Sequence, residues 1–442
     1  MVEKYKLYTG FLFGAIWVQL CFGFIADEFV PALFHIKAFV NLLCDVIFLI
    51  LGIISLRNRR DIAVLASFLV IALISKYLNH LGFIYFINGF RDFIGLIFTV
   101  PVIRHLMLSK NKERFVRSFD KQLFIFLALQ PFCIVWQLLK YGADDHGGGS
   151  LGYGMSGIVS TLIYIISFYL MTKRWDGGRT YFQNLRDNKI LLLLLLPTFM
   201  NETKISFIFF ICYFVLLLKI DWSMVRKMLM AIPLALCVLF GLGYIYLDLT
   251  DQKAEDIFSV AYFQNYFIGE DVDALVEVGE KVHDGIIETD NLWSIDLPRV
   301  TKIFLAPEAL DKSGGGQLFG AGLGQIKGGT VLPYTPFAKN HKWLIFGSKP
   351  MYFSLFIQLG YVGLLWFLFN IMGIVGFKSD VPRGANIKIF LWIIMLLTLL
   401  YNDALRIPFY CFILFYIAAY TTYGAQQAVD KAIPSASQST EG

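Results

Sequence analysis

The chain has 442 residues, 57% of them hydrophobic and only 16% charged, with a mean hydropathy of +0.63. A soluble chain keeps roughly a quarter of its residues charged, so a soluble enzyme, a nucleic-acid binder and a secreted disulfide scaffold are excluded, and a polytopic membrane protein remains. The net charge of +5 does not argue for an acidic partner, because the Lys and Arg excess of a membrane protein mostly sets its orientation.

Lys4 and Lys6 precede an apolar stretch from Tyr8 to Ile25, followed by Ala26, Asp27 and Glu28 with no small-x-small cleavage site. This order predicts an uncleaved signal anchor. Apolar runs of bilayer-spanning length then predict an all-α protein of twelve transmembrane helices, at about 8–25, 30–55, 61–79, 91–108, 122–140, 155–172, 189–201, 203–219, 226–247, 350–376, 387–402 and 406–423. The seventh and eighth runs are short and abut at Met200-Asn201-Glu202-Thr203-Lys204, as a hairpin or as one kinked helix.

Positive charge separates the two. With the hairpin and a cytoplasmic N-terminus, the inner loops hold twenty Lys and Arg residues and the short outer loops only Arg91, Lys140, Lys204 and Arg406. A single span over 189–219 would move Lys219, Arg226, Lys227, Lys378, Arg383 and Lys388 outside, against the inside bias of basic residues. The expected organisation is therefore residues 1–247 as membrane helices one to nine, 248–349 as a large outer loop, 350–424 as helices ten to twelve, and 425–442 as a disordered cytoplasmic tail, with both termini cytoplasmic.

The six cysteines, Cys21, Cys44, Cys133, Cys212, Cys237 and Cys411, lie inside apolar runs without ligand spacing and are expected to be buried thiols, with no metal and no cofactor. His35, Lys37, Asp45 and Lys76 fall at membrane depth, where polar groups are expensive and functional by default. Lys37 and Asp45 are too far apart on one helix to pair, so each needs a partner on another helix. The outer cations Arg91, Lys204 and Arg406 each open a predicted helix, beside Asp92, Glu202 and Asp403 respectively. A helix N-terminus presents unpaired backbone donors to an anion, and such cations suit a diphosphate leaving group; snorkelling to lipid phosphate is the plainer alternative.

The outer loop is electrically divided. Residues 248–300 carry thirteen acids against Lys253, Lys281 and Arg299, whereas 301–349 carry six lysines against Glu308 and Asp311. The functional expectation is a lid whose basic half lies over an anionic ligand; a solvated acidic helix before an ordinary return to the bilayer is the alternative. Late in the loop come Gly320-Ala321-Gly322-Leu323-Gly324 and Lys339-Asn340-His341-Lys342, His341 being a candidate base near neutral pH.

Taken in order, the twelve helices, the large loop before the last three, the Gly-x-Gly-x-Gly run, Asn340-His341 and then Gln358-Leu359-Gly360-Tyr361-Val362-Gly363-Leu364-Leu365 resemble the O-antigen polymerase and O-antigen ligase superfamily. The similarity is clearest over 317–370, with Arg91, Arg299 and the Glu202/Lys204 turn as supporting positions. The resemblance implies a metal-independent glycosyltransferase of the bacterial inner membrane, active on the periplasmic side. It joins undecaprenyl-diphosphate-linked repeat units of O-antigen, capsule or a related polysaccharide, and undecaprenyl diphosphate leaves. It also implies His341, Arg91 and Arg299 as catalytic residues, with Lys204, Glu202, Arg406, Asn340, Lys339, Gly322 and Gly324 binding substrate. The implied partners are the lipid-linked glycan and the bilayer, with a chain-length regulator and a flippase of the same pathway, and no nucleic acid. A ligase transferring glycan to lipid A-core, and a flippase for lipid-linked oligosaccharide, are the alternatives.

Overall fold

The computed structural model describes residues 2–142, 147–200, 205–218, 299–311, 313–327, 332–345, 347, 349–376, 379 and 381–423. Within them the chain is all-helical, with no strand. In hydrocarbon every backbone N–H and C=O must be satisfied within the segment, which leaves helices as the solution for these apolar runs.

The first half comprises α1 (Val2–Glu28), α2 (Lys37–Ser55) entered through the 3-10 turn Pro31–Ile36, α3 (Arg59–Leu78), α4 (Phe83–Phe90), α5 (Ile94–Met107), α6 (Lys112–Tyr141), α7 (Ser156–Lys173), α8 (Tyr181–Asp187), α9 (Lys189–Leu193), α10 (Pro197–Met200) and α11 (Ile205–Leu217). After the undescribed stretch come α12 (Arg299–Asp311), α13 (Gly316–Phe319), α14 (Pro336–Asn340), α15 (Lys342–Ile345), α16 (Met351–Trp366), α17 (Gly373–Val375), α18 (Gly384–Tyr401) and α19 (Pro408–Tyr423). Local chemistry sets the ends. Asn58 caps α3 by accepting from the Arg60 amide at 2.9 Å, and Thr335 caps α14 from the Ala338 amide at 3.1 Å with Pro336 at the first helical position.

Among the described residues, eight helical stretches are long and apolar enough to cross a membrane: Glu3–Glu28, Pro31–Ser55, Arg59–Leu78, Phe83–Met107, Lys112–Tyr141, Ser156–Lys173, Met351–Val375 and Gly384–Tyr401. This is a multi-pass membrane protein. Of the other four expected spans, 226–247 lies outside the described residues, α19 has 16 residues, and Lys189–Met200 and Ile205–Leu217 are short. These last two run antiparallel. Ser167 of α7 donates to the Leu191 carbonyl at 3.2 Å and meets the Tyr213 hydroxyl at 3.0 Å, while Tyr164 accepts from Thr198 at 3.0 Å and packs its ring at a tilt against Phe209. Residues 191 and 213 thus share one level of α7 and 198 and 209 the next, so the chain reverses between them.

α7 and α19 form the bundle's interior, with Leu162, Ile165, Phe168, Tyr169, Tyr410, Phe412, Ile413 and Tyr416 fully buried. α2 and α3 expose Phe39, Leu43, Ile50, Ile53, Val70 and Leu73, the side chains a lipid-facing helix presents. Contacts define two ends. At one, Arg104 pairs with Asp61, Lys173 pairs with Asp120, Tyr169 and Tyr416 donate to Asp120 at 2.8 and 2.9 Å, and Arg383 donates to the Leu217 carbonyl at 2.7 Å. At the other, Lys140 pairs with Glu28 at 2.9 Å, Asp27 accepts from Lys37 at 3.2 Å and from the Tyr153 amide at 2.9 Å, and the Met351 amide donates to the Asn402 carbonyl at 2.9 Å. The second end holds the candidate site.

Candidate anion site at one end of the bundle

The site is built around two interrupted spans. The first is Phe83–Met107, expected to begin at Arg91. The helix instead starts at Phe83, and Arg91–Phe93 form a 3-10 turn inside it. Arg91 therefore opens no helix; it lies eight residues in, about 12 Å along the axis. There its guanidinium pairs with Asp45 of α2, and Asp45 also accepts from Gln19 at 3.3 Å. The partners anticipated for Lys37 and Asp45 on other helices are thus Asp27 and Arg91. His35 is exposed and Lys76 half-buried.

The second interruption is in α16, where Gly360 takes φ +63 and ψ −161, a conformation that favours glycine. The break frees carbonyls that a continuous helix would have bonded. The Gly-rich segment fills the gap: the Ala321 amide donates to Ile357 O at 2.7 Å, the Gly322 amide to Gln358 O at 3.1 Å, and the Gly324 amide to the Gln358 side-chain oxygen at 2.8 Å. Ser75 and Asn79 of α3 hold it from the other side, Ser75 donating to Phe319 O at 2.6 Å and Asn79 to Gly320 O at 2.9 Å. A Cβ on Gly320 would lie 2.7 Å from the Gly360 nitrogen, and one on Gly89 would collide with the backbone of Leu323 and Gly324. Gly322 and Gly324, with φ of +102 and +88, are therefore docking residues that let a loop backbone sit against two helices.

Docking carries Lys327 into the bundle, where it donates to the Asn88 carbonyl at 3.1 Å and pairs with Asp92. Arg406, in the 3-10 turn Ala404–Arg406 before α19, meets the other Asp92 oxygen at 2.8 Å and Asp403 at 2.7 Å. Lys349, just ahead of Pro350 at the start of α16, lies within range of the charges of Arg406, Lys327, Asp403 and Asp92. Burial, together with neighbouring cations, pushes Lys327 and Lys349 below the ordinary lysine pKa. Among the described residues, four cations thus converge on three carboxylates, Asp45, Asp92 and Asp403.

No protein-family model matches the chain, and no curated protein matches it.

Of the residues named from sequence, the structure brings together Arg91, Arg406, Gly322 and Gly324. Arg299 begins α12 and stacks over the Tyr401 ring at 4.1 Å, at the same end of α18 that leads into Asp403 and Arg406. His341 closes the turn between α14 and α15, with Nδ1 3.0 Å from the Phe337 carbonyl and its ring stacked on Phe337. A carbonyl can only accept, so the neutral ring carries its proton on Nδ1 and its lone pair on Nε2. Lys339 and Asn340 are exposed. Lys204 and Glu202, and the acidic half of the loop up to residue 298, lie outside the described residues, as does the tail from 424. Sequence reasoning counted Lys327 and Lys349 among the six lysines of the basic half of the loop and singled out neither as a site residue. The available signals were a lone lysine three residues after Gly324 and a Lys-Pro pair opening a span.

Proposed function

We propose that this protein is a polymerase of undecaprenyl-diphosphate-linked oligosaccharide repeat units, working at the periplasmic face of the bacterial inner membrane. The observation that carries the reading is the convergence of Arg91, Lys327, Lys349 and Arg406 on one end of a membrane bundle. Half-buried cations in excess of the acids described around them are costly unless an anion joins them, and a departing diphosphate is such an anion. In the reaction, a sugar hydroxyl of one lipid-linked unit attacks the anomeric carbon of a chain on a second lipid. The new C–O bond forms as the bond to the diphosphate oxygen breaks, the cations stabilise the diphosphate, and the hydroxyl proton passes to Nε2 of His341. Arg299, at the adjoining end of α18, and the undescribed Lys204 would assist the cations, with Asn340 beside the base.

The topology belongs to the same proposal: twelve spans, both termini cytoplasmic, and 248–349 as the periplasmic loop. It is supported by Arg57, Arg59, Arg60, Arg104, Lys173, Arg179 and Arg383, which lie at the end away from the site. A reaction of the purified protein with lipid-linked repeat units, resolved on a gel, tests the assignment. A glycan ladder with released undecaprenyl diphosphate, lost in Arg91→Ala, Arg299→Ala and His341→Ala, is the expected result. Transfer to lipid A-core instead would make it a ligase. Movement of labelled lipid-linked sugar across a liposome without diphosphate release would make it a flippase.

A further inference from the structure

The four cations of the site are not equivalent. Arg91 is held by Asp45, Lys327 by Asp92 and the Asn88 carbonyl, and Arg406 by Asp92 and Asp403. Lys349 has no hydrogen bond and no ion pair among the described residues, although two of its charged neighbours, Lys327 and Arg406, repel it. The two acids within range of its charge, Asp92 and Asp403, are already engaged by Lys327 and Arg406. Among the described residues, Lys327, Lys349 and Arg406 against Asp92 and Asp403 leave one positive charge uncompensated.

The backbone adds to this. Lys349 precedes Pro350, the N-cap of α16, and no side chain caps that helix. The Met351 amide at that terminus donates to the Asn402 carbonyl at 2.9 Å, so the second source of positive potential beside the lysine is the N-terminal end of the α16 dipole. A lysine in this position is stable when an anion supplies the missing charge and accepts from its ammonium group.

We propose that Lys349 is the direct contact for a phosphate-bearing anion at this site, with Lys327 and Arg406 as a fixed cationic wall behind it. The anion is a diphosphate or a phosphomonoester: one negative charge offsets the excess lysine, and the remaining charge faces Lys327 and Arg406. The inference rests on the proposed function and deepens it, since it assigns the direct diphosphate contact of that reaction to Lys349, with Arg91, whose Nε donates to Asp45, among the cations that assist it.

The test uses the full-length protein in discs of phosphatidylcholine, titrated calorimetrically with inorganic diphosphate and with inorganic phosphate. Wild type should bind diphosphate more tightly than phosphate. Lys349→Gln should weaken diphosphate binding by about tenfold or more, the loss expected for one charge-assisted contact, and Lys349→Arg should retain most of it. Lys76→Gln, a half-buried cation of α3, should bind as wild type does. Repeating the titration with phosphatidylglycerol in the discs separates the sources. Competition that depends on Lys349 identifies a bilayer headgroup as an occupant, and binding of diphosphate undisturbed by the lipid identifies a diphosphate ligand. Equal binding by wild type and Lys349→Gln, or no diphosphate binding by wild type, overturns the proposal. A glycan ladder formed at the wild-type rate by Lys349→Gln would sink this inference and leave the polymerase reading standing. Lys349-dependent diphosphate binding without any ladder would do the reverse.

Discussion

Asp92 is the residue on which the site balances. One buried carboxylate serves both Lys327 and Arg406, so replacing it leaves two cations facing each other. Breaking a buried pair by removing one partner costs about 3–5 kcal/mol. Asp92→Asn should therefore lower the thermal midpoint of the solubilised protein sharply, and Asp92→Asn with Lys327→Met should recover most of the loss. A double variant no more stable than the single one would mean that the cost does not come from charge. The lysines also set a pH response with two opposite signs. Burial disfavours the charged form of Lys327 and Lys349 and depresses their pKa values from the ordinary 10.5. As pH rises through the depressed values the ammonium charges disappear, and diphosphate binding should weaken at a lower pH than free lysine would dictate. Over the window from those values up to 10.5 the unfolded chain binds more protons than the folded one, so stability should rise with pH. Paired binding and melting titrations across the alkaline range check both signs, and parallel trends would contradict the assignment.

At the scale of elements, the feature to test is the docking of 319–324 onto the broken helix α16. Gln358 is the hinge of this contact: its side-chain oxygen accepts from Gly324, its carbonyl accepts from Gly322, and its side-chain nitrogen donates to Ser354 O at 3.1 Å. Gln358→Leu would keep the volume and strand the Gly324 amide, at a cost of about 1–3 kcal/mol. Gly360→Ala would add strain at a positive φ and a collision with the Leu318 backbone. Both should release the segment and speed proteolytic cleavage between residues 313 and 327; unchanged cleavage would show that docking rests elsewhere. The helices themselves were legible in the sequence because hydropathy reports lipid directly: Arg59–Leu78 and Ser156–Lys173 fall within two residues of their expected bounds. The interruptions were not. Arg91 is interior to a span that starts at Phe83, and Gly89 within that span lies against Gly324, a contact between segments over two hundred residues apart. The same holds for the site. Arg91 and Arg406 were readable as outer cations, but Lys327 and Lys349 join them only through tertiary docking, and the Gly-x-Gly-x-Gly run is explained by close approach of backbones.

For the whole molecule, the two ends differ in kind. The end opposite the site holds Arg57, Arg59, Arg60, Arg104, Lys173, Arg174 and Arg179 with acids such as Asp61, Asp120 and Asp187 as partners, the distribution a cytoplasmic face carries. Single cysteines placed in a cysteine-free background should report it. Arg179→Cys should react with an impermeant thiol reagent only after the membrane is opened, and Tyr153→Cys should react in intact cells. The reverse pattern would invert the proposed topology and place the cation site in the cytoplasm. The broken span Met351–Val375 also bears on how the protein is made. Its carbonyls at 357 and 358 find their donors in residues 321 and 322, which leave the ribosome first. By the time this span enters the bilayer, the segment that completes it has already been synthesised and awaits it. Separating the two in time, by expressing 1–345 and 346–442 as halves, would ask the bilayer to hold an unfinished helix until its missing backbone arrives.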